Sequence, residues 1–310
     1  MPGRVLVGTC SWTDRTLVRE SSFYPKKTMR AAERLQFYAS IFPIVEVDAT
    51  YYYPPTAETA GLWVQRTPAD FSMSVKAYSL LTGHPTRPDS LWPEVGDQIP
   101  LEHREKRSVY LSHLPRAAVD AAWELFREAL MPLHSAGKLG TVLFQFPRWF
   151  RPGRTNRETI TELAGRLPDY DLSVEFRHGS WMAEKERGRT LALLEREGLS
   201  YVCVDEPQGF DSSVPPVVAA TADIAVARFH GRNHATWEDP EVTTAAERFA
   251  YRYSTEELAG WVPHLRQLAG SARETHVLMN NCYRDDAVVN GRQLAGLLGT
   301  GLTESAMAEV

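Results

Sequence analysis

Eight short runs rich in β-branched residues recur along the chain, at 5–10, 44–50, 71–77, 141–146, 172–177, 201–205, 225–230 and 276–281. Between most of them lie segments with the period of a helix. That alternation is the strongest constraint in the sequence, because strands joined by helical crossovers run parallel and a parallel sheet needs cover on both faces. Eight such units predict a closed (β/α)8 TIM barrel, for which about 250 residues is typical, rather than an open doubly wound sheet. At 310 residues, length alone also allows two average domains.

Helix ends support the count. Leu35, Tyr38 and Phe42 share one face of 30–42, Thr56 precedes 57–66 as an N-cap, and 116–136 starts after Pro115 and stops at Gly137. Asn156 is expected to cap 157–167, Ser254-Thr-Glu-Glu257 is a capping box for a helix to about Leu268, and 287–298 ends at Gly299. The sixth unit, 207–223, lacks a helical pattern, and its Pro215-Pro216 predicts an irregular crossover. Segments entering strands are short (137–140, 168–171, 198–200), whereas those leaving them are long (12–28, 78–114, 231–253). In a barrel the loops leaving strands surround the active site. The expectation is one domain over 1–310, with 78–114 inserted as a lid over the C-terminal face.

The strands carry charge where a core should be. In 172–177, Leu172, Val174 and Phe176 alternate with Ser173, Glu175 and Arg177, and the same alternation sets Glu46 and Asp48 apart from Val45 and Val47. Ser72, Ser74 and Lys76 oppose Met73 and Val75; Gln145 opposes Phe144 and Phe146; Asp205 opposes Val202 and Val204; Arg228 and His230 oppose Ala227 and Phe229. The eighth run ends in Asn280-Asn281. Most of the charged members stand at strand ends, the end on which barrel enzymes place their chemistry. A nearly balanced ion network filling the barrel explains the same letters without catalysis.

Glu175, Asp205, His178 and His230 are the candidate acid/base residues, and the same four are the alternative donors for a divalent metal. Arg177, Arg228 and Lys76, with Arg232 and Arg87 nearby, oppose a bound cation and suit an anion, since a guanidinium presents a planar fork to phosphate or carboxylate. No metal or other cofactor is therefore predicted. Trp12, Tyr51, Tyr52, Tyr53 and Trp181 follow strand ends and could stack on a sugar or base. No Gly-x-Ser-x-Gly elbow or Gly-rich phosphate loop occurs. The formal charge of -5 disfavours nucleic acid as a partner. Cys10, Cys203 and Cys282 are scattered and odd in number, arguing against a disulfide framework, and no run approaches the roughly 20 apolar residues of a membrane span. With no signal-like N-terminus, a cytoplasmic protein is expected.

Val7-Gly-Thr-Cys-Ser-Trp12, Val45-Glu-Val-Asp-Ala-Thr-Tyr51, Phe71-Ser-Met-Ser-Val-Lys76, Leu143-Phe-Gln-Phe-Pro147, Val174-Glu-Phe-Arg-His-Gly-Ser-Trp181, Arg228-Phe-His-Gly-Arg232 and Asn280-Asn281 together resemble the family known as domain of unknown function 72, or YecE-like. Asp48 and Ala49 stand where family members often have asparagine and serine. The resemblance implies a TIM barrel similar to that of endonuclease IV-like proteins. By analogy it suggests a nucleic-acid or phosphodiester ligand. That class holds zinc on histidines and carboxylates, whereas arginine and lysine stand among the acids here. The leading expectation is a barrel enzyme of hydrolase or lyase type acting on an anionic, phosphorylated small molecule. Its ligand residues would be Trp12, Glu46, Asp48, Tyr51, Lys76, Gln145, Arg177, Trp181, Arg228, Arg232, Asn280 and Asn281. The alternatives are nucleic-acid binding or cleavage, and a non-enzymatic scaffold.

Overall fold

The structure, a computed structural model, describes residues 2–300. Among these, eight parallel strands close into a barrel: β1 (Arg4–Thr9), β2 (Ile44–Val47), β3 (Ser72–Lys76), β4 (Leu139–Gln145), β5 (Leu172–Glu175), β6 (Ser200–Asp205), β7 (Ile224–Phe229) and β8 (Glu274–Met279). Each pairs with its sequence neighbour, and β8 closes on β1 through a six-residue register from Arg4↔Glu274 to Thr9↔Met279. At the β1–β2 seam the strands nearly touch, since a Cβ on Gly8 would lie 2.0 Å from the Ile44 carbonyl oxygen. Only glycine fits there.

Helices follow seven of the eight strands among the described residues: Ala31–Ala39, Ala57–Gln65, Arg116–Ser135, Arg154–Arg166, Glu184–Arg196, Thr255–Ser271 and Asp286–Leu298. Arg116–Ser135 turns Ala118, Ala122, Phe126, Leu130 and Leu133 inward, a three-to-four-residue spacing that keeps one stripe against the sheet. The capping box at Ser254 forms, with the Ser254 N–H donating to Glu257 and the Glu257 N–H to Ser254 Oγ. No helix lies between Asp205 and Ile224, as the paired prolines required. The helix expected over 157–167 with Asn156 as its cap begins at Arg154 instead, and the Asn156 amide donates to the Arg151 carbonyl, securing the preceding loop.

Strands end earlier than the sequence runs suggested. β2 stops at Val47, where Ala49–Tyr51 coils into a 3-10 turn and the Thr50 hydroxyl reaches the carbonyls of Val47 and Lys76. Segment 78–114 is built of short turns anchored by a Thr86–Val109 bridge, a Tyr78–Ser90 hydrogen bond and buried Val95, Ile99 and Val109. It brings His84 to the barrel mouth.

Register decides which side chains share the interior. Arg228 lies beside Val204 on one flank and Leu278 on the other, and Gln145 beside Glu175, so these point inward together. Val204 inward puts Asp205 outward, beside Phe229. The next inward position at that strand end is Glu206.

Candidate functional site

The lower part of the polar interior is sealed. Arg228 is 1% exposed; its Nη1 donates to Glu175 and its Nη2 to Glu46 at 2.6 Å, with the Cys10 sulfur 3.5 Å away. Burial alone raises the Glu175 carboxyl, but Arg228, His230 and Arg177 together hold it well below the usual carboxylate range. Glu175 is thus an anion at any physiological pH. His230 is buried too, its Nδ1 2.8 Å from the Asn280 amide and its Nε2 3.2 Å from Glu175. Burial lowers its pKa to about 4, so the ring is neutral. With the Asn280 amide donating, the ring proton sits on Nε2 and faces Glu175.

Above this layer the barrel opens into a cavity of about 380 Å³, lined by Tyr51, His84, Gln145, Arg148, Trp149, Arg177, Trp237 and Arg248 among others. Arg177 joins the two layers. Its Nη1 lies 3.4 Å from Glu175 and 3.2 Å from Glu206, while its guanidinium carbon sits 5.0 Å from the centre of the Trp237 ring. Arg248 donates to the carbonyls of Thr236, Trp237 and Val242, stapling the loop after β7. Burial and the charges of Arg148 and Arg177 lower its pKa, a sign of three cations crowding one space. Lys76 lies 4.6 Å from the Tyr51 ring centre and, among the described residues, forms no ion pair.

Two carboxyls at this level are poised differently from Glu175. Burial pushes Asp48 up to about 7, offset in part by Lys76, and pushes Glu206 up to about 7, offset by Arg177. Glu206 also accepts the Val214 N–H at 2.7 Å. Each therefore exchanges a proton near neutral pH, the condition for general acid/base work. His84, lowered to about 3 by burial and by the nearby Lys76 and Arg177, is neutral.

Several expected site residues stand elsewhere. Asp205 faces the outer layer, where Trp261 Nε1, Tyr253 Oη and Nε and Nη2 of Arg232 saturate its oxygens, so neither it nor Arg232 reaches the mouth. Asn281 also points outward and bonds Tyr251 and Asn290. Trp181 is fully buried against Phe176 and Phe150, and Trp12 packs edge-on to Trp63. His178 caps the Gly179–Met182 turn through Ser180, and Arg87 pairs with Asp89 on the surface. Arg228 is enclosed in ion pairs and unavailable to a ligand. Glu46, Asp48, Tyr51, Lys76, Gln145, Glu175, Arg177, His230 and Asn280 are brought together.

Strand alternation says nothing of Glu206, Arg148, Trp149, Ser212, Trp237 and Arg248, because they lie on loops, which have no period. Two features of the sequence point to some of them: the length of the segment after β7, which carries Trp237 and Arg248, and the Pro147-Arg148-Trp149 triplet just past Phe146 at the end of β4. Among the described residues no three His, Cys, Asp or Glu side chains are grouped as metal ligands, and no helix is long and apolar enough to cross a membrane.

A family model described as "Protein of unknown function DUF72" matches residues 6–309. The chain is 33% identical over 297 residues to the UPF0759 protein YunF of Bacillus subtilis, covering 95% of this chain and 94% of that one. Among solved structures, a DUF72 family protein of Thermotoga maritima superposes with a TM-score of 0.74 at 30% identity, covering 96% of this chain and 99% of the other. A DUF72 family protein of Enterococcus faecalis gives 0.77 at 26% identity, covering 96% of each.

Proposed function

The chain belongs to the DUF72 family, and we propose that this member binds an anionic, phosphorylated small molecule at the barrel mouth and acts on it by acid/base chemistry. The observation that carries the reading is the convergence of Arg148, Arg177 and Arg248 on one open cavity with Lys76 beside it. Arg177 donates to protein only from Nη1 among the described residues, and its guanidinium face stacks on Trp237, which leaves Nε and Nη2 of its fork for a ligand. A phosphate there lies beside Glu206. Its negative charge raises the affinity of Glu206 for a proton, making Glu206 the general acid, while Asp48 beside Lys76 is the candidate base. Glu175, the expected acid/base residue, instead anchors both arginines as a fixed anion.

The test is thermal stabilisation by inorganic phosphate, which exploits the linkage between binding and folding. A concentration-dependent rise in Tm for the wild type, shifted to about tenfold higher phosphate or beyond in Arg177→Ala, is the expected result. No rise with phosphate or sulfate at any concentration overturns the reading. The exposed rings of Tyr52, Tyr53 and Trp149 favour a second reading, a single-stranded nucleic acid stacked across the same arginines. That reading requires oligonucleotide affinity that falls steeply with salt.

A further inference from the structure

A second cavity of about 610 Å³ adjoins the mouth and shares Pro147 and Trp149 with it. Its character is different. Phe146, Phe150, Leu111, Leu114 and Val119 supply apolar wall, and the Arg166 guanidinium at its edge is already paired with Asp120 and Glu162. The floor is rigid, since Phe146 and Phe150 stack with centroids 3.9 Å apart and Phe150 rests on the buried Trp181. Trp149 forms the divide. It is 60% exposed, and His84 contacts it edge-on at 5.9 Å and Tyr51 at 5.2 Å, so a line of uncharged rings runs from the cationic mouth to the apolar chamber.

We propose that the two cavities form one elongated site whose ligand is a phosphorylated compound carrying an apolar arm, the phosphate in the mouth and the arm lying across Trp149 into the second chamber. The inference rests on the anion-binding reading of the mouth and adds the chemical class of the rest of the ligand. The two arginines at the second chamber, Arg116 and Arg166, are both paired with Asp120, whereas Arg177 in the mouth keeps part of its fork open, so charge and apolar wall follow one another along the site in the order such a molecule needs. An arm in the apolar chamber gains affinity by leaving water, whereas a ligand without one gains nothing from that wall.

The experiment compares two probes by isothermal titration: methylphosphonate, which has only the anionic head, and 1-naphthylmethylphosphonate, which adds the arm. The expected result is that both bind the full-length protein, the naphthyl probe more tightly by about tenfold or more. Leu111→Gln and Val119→Gln, both in the second chamber only, should each remove most of that gain while leaving methylphosphonate affinity unchanged. If both probes bind equally, the apolar arm is wrong and the mouth stands. If the naphthyl gain persists in both variants, the arm lies elsewhere and the proposal fails. Binding of neither probe overturns the reading of the mouth together with this one.

Discussion

Arg228 and Arg177 reach the same carboxylate, Glu175, from below and above, yet they belong to different regimes. Arg228 is 1% exposed and holds Glu175 and Glu46 with both terminal nitrogens. The Arg177 side chain is 15% exposed, shares one nitrogen between Glu175 and Glu206, and borders open volume. The chemistry of the groups is identical. What differs is whether every charge has a partner, and that decides which arginine supports the barrel and which can meet a ligand.

The largest effect that would break this contrast is at Arg228. Arg228→Met leaves Glu46 buried without its ion-pair partner and Glu175 with Arg177 alone at 3.4 Å, and should cost about 3–5 kcal/mol in urea unfolding at pH 7. Arg228→Lys should recover little, because one ammonium cannot span two carboxylates as the planar fork does. Adding Glu46→Gln and Glu175→Gln to Arg228→Met should restore part of the loss. A cost below about 1 kcal/mol for Arg228→Met alone would show that water or protonation already relieves the triad.

Arg177→Ala should behave in the opposite sense. Glu175 keeps Arg228, and Glu206 can take up a proton, since its carboxyl already titrates at about 7. Stability should fall by only about 1 kcal/mol, whereas phosphate affinity should drop by about tenfold or more, the usual scale for losing a charged partner to an anion. Equal losses of stability and binding would place Arg177 in the sealed layer after all.

Much of this architecture was legible in the sequence. Eight β-branched runs, their capped helices and the missing sixth helix all carry local signals that tertiary packing did not override. The interior charges of β2, β3, β5 and β7 followed from alternation alone. The sixth strand did not: Asp205 is the only charged letter in it, and alternation alone sets it apart from Val202 and Val204 without saying which face is inside, whereas the register with Arg228 seats the two valines inside. Donors from a distant helix, Trp261 among them, make an outward carboxylate tolerable there, and no local pattern announces them. The arginines and tryptophans of the mouth lie on loops for the same reason that loops are unreadable: their positions are set by the fold beneath them and not by their neighbours in sequence.

Asp48 gives a smaller effect with a defined sign. Its folded pKa is raised to about 7 from an ordinary value of 3.8, chiefly by burial, so the folded state binds the proton more tightly than the unfolded chain. Stability from this group is complete below about pH 4 and is lost as pH rises to 7. Asp48→Asn should remove that loss and raise stability at pH 8 by on the order of 1–2 kcal/mol, with little change at pH 4. His230 runs the other way: its pKa is lowered to about 4, so its contribution is present above about pH 6.5 and lost as pH falls toward 4. Because His230 is present in both proteins and cancels, the Asp48→Asn difference should grow monotonically between pH 4 and 8, read from urea midpoints at each pH. A flat difference would mean that Asp48 is ionised throughout and tied to Lys76 as closely as Glu175 is to Arg228.

The smallest expected effect is at Arg148, the outermost cation of the mouth. Its side chain is 59% exposed and, among the described residues, its one ion pair is with Glu238 at 3.5 Å, a contact that water and salt largely screen. Arg148→Ala should leave the urea midpoint within about 0.5 kcal/mol of wild type. Phosphate affinity should fall by only about two- to fivefold, because the charge lost faces solvent on one side. The useful measurement is the salt dependence of phosphate binding in the two arginine variants. Removing Arg148 should flatten it, since that charge acts at a distance through solvent, whereas in Arg177→Ala the remaining weak binding should keep a slope close to that of wild type. If Arg148→Ala instead abolishes binding, the anion sits at the rim, and the boundary between the sealed and open layers lies higher in the barrel than the ion pairs of Arg177 indicate.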